Sequence, residues 1–240
     1  MKHKLLILSS FFLSILSPSC KKDKYDFKGT SSIYVINATL DAAAIKINPG
    51  AGSDFSYAKS VNLASGASNV FGSFVGSKKI SVVSASDTTK IYFERYIMLE
   101  PVNTLYLTGQ IPNIDTLFNS ERLIPYIQSV VSSPDNSMYL RFVNLSPNST
   151  SLKVNIRLST DNEVTRLNYK DISNFIKYAA LPTTPNYIFE IRDVATNSLQ
   201  ATFTLNTNAN RFKTMSLIIK GLLGVSTGPN AFGVFLVSYT

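Results

Sequence analysis

Apolar and polar residues alternate along many short segments of this chain, with the period of two that is typical of a β-strand buried on one face. The alternation is clear in residues 79–83 (KISVV) and 187–191 (YIFEI), and turn-forming residues such as 48–52 (NPGAG) separate the segments. The one hint of helical spacing lies in residues 167–178, where Ile172, Phe175 and Ile176 would share one face of a short helix. The pattern predicts an all-β chain.

The strand pattern occurs twice. Aligning Asn37, at the end of IYVIN, with Asn144, at the end of MYLRFVN, gives an offset of 107 residues, which also places residues 45–47 (IKI) on residues 152–154 (LKV). Threonine or serine follows each asparagine two residues later, so we expect both side chains to close their strands in Asx-turns rather than to carry a glycan.

Each copy continues to a late strand that ends on glycine, Gly109 or Gly221, and to a final strand expected around residues 123–130 and 232–239. A repeat of this length predicts two tandem immunoglobulin-like antiparallel β-sandwich domains. We expect them to span residues 33–132 and 133–240, because polar and turn-forming residues gather at 132–136 (SSPDN).

The N-terminus has the three-part organisation of an export signal, with Lys2 and Lys4, an apolar run over residues 5–16, and small residues before Cys20. Charged residues follow in a polar tether. Residues 16–20 (LSPSC) resemble the lipobox of bacterial lipoproteins, in the relaxed form of Bacteroidetes. The resemblance implies a signal peptide at residues 1–19, lipidation of Cys20, a tether over residues 20–32, and a place on the outer membrane, at the cell surface or the periplasmic face. The alternative is an ordinary cleaved signal followed by a stray cysteine.

Two absences narrow the chemistry. Cys20 is the only cysteine, and the only histidine, His3, lies in the predicted signal peptide. The mature chain is therefore expected to have no Ser-His-Asp or Cys-His nucleophile, no histidine-bound metal and no cofactor. One enzymatic route stays open, because a glycosidase needs only two carboxylates.

Charge is distributed unevenly along the chain, whose net charge is +8. Residues 30–136 carry seven basic and eight acidic residues, whereas residues 137–240 carry ten basic and five acidic residues. In an exported protein this favours an anionic surface, such as lipopolysaccharide or an acidic glycan, as partner, rather than nucleic acid. The alternation places Arg141 opposite Phe142, and Lys153 between Leu152 and Val154. We therefore expect both basic side chains to point outward and to bind such a glycan, unless the basic face has no partner.

Aromatic side chains supply the other candidate binding residues. Tyr57, Tyr169 and Tyr178 lie near predicted loops, where a ring can stack on a sugar or anchor a protein partner. The alternative for each is packing inside the fold.

Several short motifs of the second copy resemble the bacterial domain-of-unknown-function 4397 family. They are residues 143–147 (VNLSP), Tyr169, residues 172–173 (IS), Phe175, Pro182 and residues 187–191, and the first copy matches more weakly at residues 36–40 (INATL). The resemblance implies a fold and a compartment, and no activity.

These observations predict a non-catalytic cell-envelope lipoprotein that acts as a surface binding module for a glycan or an envelope protein. It would be held to the membrane by its lipid anchor. The alternatives are a structural or adhesive spacer and a carboxylate-only glycoside hydrolase.

Overall fold

A computed structural model describes residues 29–41, 44–52, 54–120, 126 and 136–239. The strands of the first half are β1 (Thr30–Asn37), β2 (Ile45–Asn48), β3 (Ala67–Phe74), β4 (Gly76–Ser84), β5 (Ile91–Leu99), β6 (Val102–Gln110) and β7 (Asn113–Asn119). The strands of the second half are β8 (Ser137–Asn144), β9 (Leu152–Ile156), β10 (Asn162–Leu167), β11 (Ile176–Ala179), β12 (Tyr187–Asp193), β13 (Leu199–Leu205), β14 (Thr214–Lys220) and β15 (Gly233–Ser238). Two short 3-10 turns span Tyr57–Lys59 and Asn208–Asn210.

Four sheets stack in the order outer, inner, inner, outer. The first half has an outer sheet β2-β4-β5 and an inner sheet β3-β1-β6-β7. The second half has an inner sheet β11-β8-β14-β15 and an outer sheet β10-β9-β12-β13. Each half is thus a β-sandwich, which confirms the predicted fold class. One pair in each half departs from the antiparallel pattern, because β1 runs parallel to β6 and β8 runs parallel to β14.

Three apolar layers fill the three gaps between these sheets. One lies inside the first sandwich, around Ile33, Ile47, Val82 and Leu105. Another lies inside the second, around Phe142, Val154, Phe189 and Leu217. The third joins the two inner sheets and contains Ile36, Ala38, Tyr106, Val143, Leu145, Ile218 and Val237. Each fully buried aliphatic side chain contributes about 1.5–3 kcal/mol, so this middle layer holds the halves together through packing.

The central strands of the second half's inner sheet, β8 and β14, are buried on both faces. Every residue of β8 is buried except Tyr139, and every residue of β14 except Lys220. Such strands are near-continuous runs of buried side chains, without a solvated face. The outer strand β13 instead alternates over most of its length, because one of its faces meets solvent.

The repeat predicted from the sequence appears as equivalent backbone contacts in both copies. The side-chain amide of Asn37 donates to the carbonyl oxygen of Leu63 (3.0 Å), and that of Asn144 donates to the carbonyl oxygen of Leu167 (3.1 Å). Their Oδ1 atoms accept from the backbone N–H two residues later, at 3.1 Å and 3.0 Å. Both Asx-turns are therefore present.

Three other expectations have different outcomes. The short helix suggested for residues 167–178 is wrong: all these residues are described, and Ile172 forms a bridge with Val143 just before β11 begins. The final strand expected around residues 123–130 and the division near residues 132–136 lie outside the described residues, apart from Tyr126 and Asn136. The strand in the position of β15 is instead β7, which pairs with β6 as β15 pairs with β14.

Candidate functional site

A cleft of about 520 Å³ opens on the outer face of the first half's outer sheet. Strands β4 and β5 form its floor, and residues 48–52 together with Tyr57 form a wall. Lys79 and Ser81 reach the cleft because they alternate along β4 with Ile80 and Val82, which point into the apolar core.

A chain of polar contacts fixes the side chains on the cleft floor. Glu94 accepts from Lys79 Nζ at 2.7 Å and from Ser81 Oγ at 2.9 Å. These contacts hold the pKa of the Glu94 carboxyl below its usual value and raise the pKa of Lys79. Burial raises the pKa of the Tyr57 phenol, and the nearby Ser81 hydroxyl partly opposes that rise. The polar groups are thus oriented before any ligand arrives.

The wall of the cleft is held close to the floor. Lys46 Nζ donates to the carbonyl oxygen of Tyr57 at 2.7 Å, and the Tyr57 ring meets Phe55 edge-on at 5.0 Å. Gly50 has a φ of 88°, and a Cβ there would lie 2.7 Å from the Cβ of Lys78. Only glycine fits this approach, because any other residue would be strained by both its φ and its neighbour.

Large apolar side chains remain exposed at the cleft. Tyr96 is 74% exposed and Ile91 is 56% exposed, and both line the cleft from β5. An uncovered aromatic ring beside oriented hydrogen-bonding groups is suited to a sugar, whose ring has an apolar face and a polar edge.

The same side chains offer little for hydrolysis. Glu94 is the one carboxylate in the described lining, and it is engaged by Lys79 and Ser81. A glycosidase needs a second carboxyl group about 5–10 Å away. The described lining of this cleft does not supply that pair, and the described residues contain no cluster of three metal-ligating side chains.

Of the five residues predicted to bind, Tyr57 alone lines this cleft. The expectation that Arg141 faces solvent is wrong, since its side chain is 0% exposed. It does point away from Phe142, but the inner sheet of the first half covers that face. The guanidinium donates to Ser216 Oγ and Tyr106 OH at 2.7 Å and to Tyr239 OH at 2.9 Å. It also lies 4.6 Å from the centre of the Phe175 ring.

Tyr169 and Tyr178 have packing roles. Tyr169 OH donates to Asp115 Oδ2 at 3.2 Å across the contact between the halves, where Lys170 Nζ also binds Asp115 at 2.9 Å. Tyr178 lies on strand β11 rather than in a loop and is buried. Its OH donates to Glu163 at 2.6 Å, and burial raises its pKa far above the usual value.

Lys153 lies on the outer face of the second half's outer sheet, opposite Arg192 on β12. The basic charge of this face is partly neutralised, because Glu190 accepts from Arg157 at 3.2 Å and from Arg192 at 2.9 Å. The five predicted residues therefore lie in separate parts of the molecule and do not form one site.

The sequence pattern did not point to Lys79, Glu94 or Tyr96 as binding residues. A signal for Tyr96 exists, because Phe93, Ile97 and Leu99 alternate inward and leave Tyr96 and Met98, both apolar, pointing outward. Apolar residues on both faces of an edge strand would have indicated an uncovered binding face.

Comparison with known proteins identifies no family for this chain, because no protein-family model and no curated protein matches it. Two solved structures share 9% identity and a TM-score of 0.24 with it. The Bacillus anthracis TIE protein matches over 88% of this chain, which spans 44% of the TIE chain. A candidate adhesin from Bacteroides ovatus matches over 88% of this chain and 93% of its own. TM-scores this low support no inference about the fold or role of this chain. Membership of the domain-of-unknown-function 4397 family stays a prediction.

Proposed function

We propose that this chain is a non-catalytic lipoprotein of the bacterial cell envelope that binds a glycan in the cleft of its first half. The observation that carries the proposal is the exposed ring of Tyr96 beside the oriented contacts of Lys79, Glu94 and Ser81. A concave, polar cleft with one uncovered ring fits a sugar better than it fits the broad surface of an envelope protein.

The cleft suits a neutral or weakly anionic glycan. Its described charged lining consists of Lys78, Lys79 and Glu94, which leaves one positive charge in excess. The second half offers a weaker case, since Arg141 is buried and Glu190 neutralises part of its outer face. We therefore place the glycan site on the first half.

A glycan array probed with residues 21–240 tests this proposal. We expect the chain to bind at least one glycan, and the Tyr96→Ala variant to bind it about tenfold or more weakly, as is typical of a stacking anchor. Leu199→Ala is the matched control, because Leu199 is a 47% exposed apolar residue of the second half.

Both substitutions are at exposed positions, so each should change the free energy of unfolding by no more than about 0.5 kcal/mol. Equal binding by Tyr96→Ala and the unchanged chain would contradict the proposed site. A chain that binds no glycan at all would instead be a spacer, a role that the packed layer between the halves favours.

The lipid anchor has its own test. Resemblance to bacterial lipoproteins implies several acyl chains at Cys20, and one chain alone gives only marginal membrane binding. We expect the full chain made in a bacterial host to enter the detergent phase, and Cys20→Ala to stay in the aqueous phase. Ser19→Ala serves as the control. Equal partitioning of Cys20→Ala and the unchanged chain would show that the anchor is absent. In the described part of the chain, no helix is long and apolar enough to cross a membrane.

A further inference from the structure

Three loops of the second half meet at one end of its sandwich, and we name them together the loop end. They are residues 157–161, 180–186 and 206–213. Thr207 Oγ1 donates to the carbonyl oxygen of Pro185 at 2.8 Å, and the Arg157 N–H donates to that of Ile188 at 2.8 Å. The Phe212 N–H donates to the carbonyl oxygen of Ser137, at the start of β8 (2.9 Å). The three loops therefore form one connected surface.

Each of these loops exposes one large apolar side chain. Leu158 is 98% exposed, Leu181 is 48% exposed and Phe212 is 40% exposed. Leu158 and Phe212 also have φ values of 69° and 61°, a left-handed conformation that bulky residues rarely adopt. Leu158 buries almost no apolar surface within the fold, so its position adds almost no hydrophobic stabilisation to the folded chain.

Basic residues surround these apolar side chains. The loop end contains Arg157, Arg211 and Lys213 against a single acidic residue of its own, Asp161, and Glu190 on β12 also pairs with Arg157 at 3.2 Å. The Arg211 guanidinium lies 5.9 Å from the centre of the Phe212 ring, so one apolar group and one positive charge are side by side. Apolar side chains mixed with Lys and Arg are typical of surfaces that enter the headgroup region of anionic membranes.

The loop end lies at the same end of the molecule as residue 29, where the described first half begins. Two contacts between the halves show how they are aligned. Tyr34 OH, in the middle of β1, donates to the carbonyl oxygen of Tyr239, whose N–H pairs with Thr214 at the start of β14. The halves are also aligned end to end, because Thr108 Oγ1 donates to the carbonyl oxygen of Leu145, just past β8 (2.6 Å). Strands β1 and β8 therefore run in the same general direction.

This alignment limits how far the loop end can lie from the proposed anchor. Residue 29 is nine residues from Cys20 in the sequence, which spans at most about 30 Å when fully extended. A lipid at Cys20 would thus hold this end of the molecule near the membrane.

We infer that the loop end docks on an anionic lipid surface. Leu158, Leu181 and Phe212 enter the headgroup region, while Arg157, Arg211 and Lys213 lie among the lipid phosphates. Which membrane the loop end contacts rests on the proposed function as an anchored envelope lipoprotein. The lipid binding itself does not require the anchor. It is separate from the glycan cleft.

Vesicle flotation of residues 21–240, which lack Cys20, tests the inference without the anchor. We expect the protein to float with phosphatidylcholine vesicles that contain about one third phosphatidylglycerol, and much less with phosphatidylcholine alone. Replacing Leu158, Leu181 and Phe212 together by serine should weaken the partitioning about tenfold or more, because each side chain then loses its apolar contact. Arg157→Gln with Lys213→Gln should also weaken it and reduce its dependence on salt.

Leu199→Ser is the matched control, since Leu199 is similarly exposed but begins β13 at the opposite end of the sandwich. It should float like the unchanged protein, and so should Tyr96→Ala. Circular dichroism and thermal unfolding check that the triple serine variant keeps its fold.

Absence of flotation with anionic vesicles would overturn the inference, and so would equal flotation of the triple serine variant. Either result leaves the glycan proposal intact, because the array depends on Tyr96 and not on the loop end. Loss of glycan binding in Tyr96→Ala with unchanged flotation would separate the two sites.

Discussion

The two halves share one backbone plan and differ most in their outer sheets. In the second half, β10 pairs with β9 as the edge strand and completes a four-stranded sheet. In the first half, the corresponding position is a single bridge between Leu63 and Ile45, and the outer sheet of the described chain has three strands. Residues 49–52 and 54–62 form instead irregular segments, with the turn at Tyr57.

That difference creates the cleft. Where β10 continues the sheet, the edge is covered by backbone pairing. Where the strand is replaced, the segment that carries Gly50 and Tyr57 forms the wall of the cleft, and Tyr96 lines the cleft from β5, at the opposite edge of the sheet. A cleft can therefore arise in a duplicated sandwich by changing one edge segment while both cores stay packed.

In the inner sheets, by contrast, equivalent positions carry different residues that both make contacts between the two halves. Tyr34 and Arg141 are 107 residues apart and both contact Tyr239. Arg141 also donates to Tyr106 of the first half and to Ser216 of the second, so one side chain bonds to both sandwiches. Here the packing of one half against the other restricts which side chains these two positions can hold.

The largest expected effect tests this contact. Arg141→Ala should lower the free energy of unfolding by about 3 kcal/mol, because it removes a buried side chain and leaves buried hydroxyl groups with fewer partners. Tyr34→Phe removes one hydrogen bond and should cost about 1 kcal/mol. Urea unfolding followed by tyrosine fluorescence measures both, since the chain has twelve tyrosines and no tryptophan.

Lys153→Ala is the control for that experiment, because it removes a basic residue from an outer face and should change the free energy of unfolding by no more than about 0.5 kcal/mol. If Arg141→Ala were as mild as Lys153→Ala, the guanidinium would not be holding the halves together.

A smaller effect distinguishes the two outer hairpins. Asp193, the last residue of β12, accepts hydrogen bonds from Thr150 and Thr196, which lower its pKa to about 2. Asp87, after β4, accepts from Thr89 at 2.6 Å through the hydroxyl and 3.2 Å through the backbone, and Lys90 Nζ lies 3.7 Å from its carboxylate; the Thr89 bonds and, to a smaller extent, Lys90 lower its pKa. Both carboxyl groups have a folded pKa below the unfolded value of about 3.9.

Their contribution to stability is therefore present above pH about 4 and is lost as the pH falls toward about 2. We expect Asp193→Asn to show a shallower loss of stability over this range than the unchanged chain, and Asp87→Asn a smaller change in the same direction. Thermal unfolding between these pH values measures the slopes. Identical slopes for Asp193→Asn and the unchanged chain would show that Asp193 does not contribute to the pH dependence of stability.

Local pattern was enough to predict much of the fold. Alternation located the strands around Ile47, Val82 and Ile191, and the repeated Asn37 and Asn144 predicted the Asx-turns that close β1 and β8. These features depend on neighbours in the chain, so the sequence carries them directly. The suggested helix near Ile172 failed because tertiary pairing with Val143 outweighed a weak helical spacing.

By itself, then, the sequence determined the strands, the duplication, and the face of β8 on which Arg141 lies. Tertiary structure alone decided what covers that face, and it turned an expected solvent-exposed charge into a buried link between the halves. It also decided that Tyr57 and Tyr96, which are 39 residues apart, share one cleft. The physical reason is that alternation fixes the direction of a side chain relative to its own sheet, whereas burial depends on which other sheet packs there.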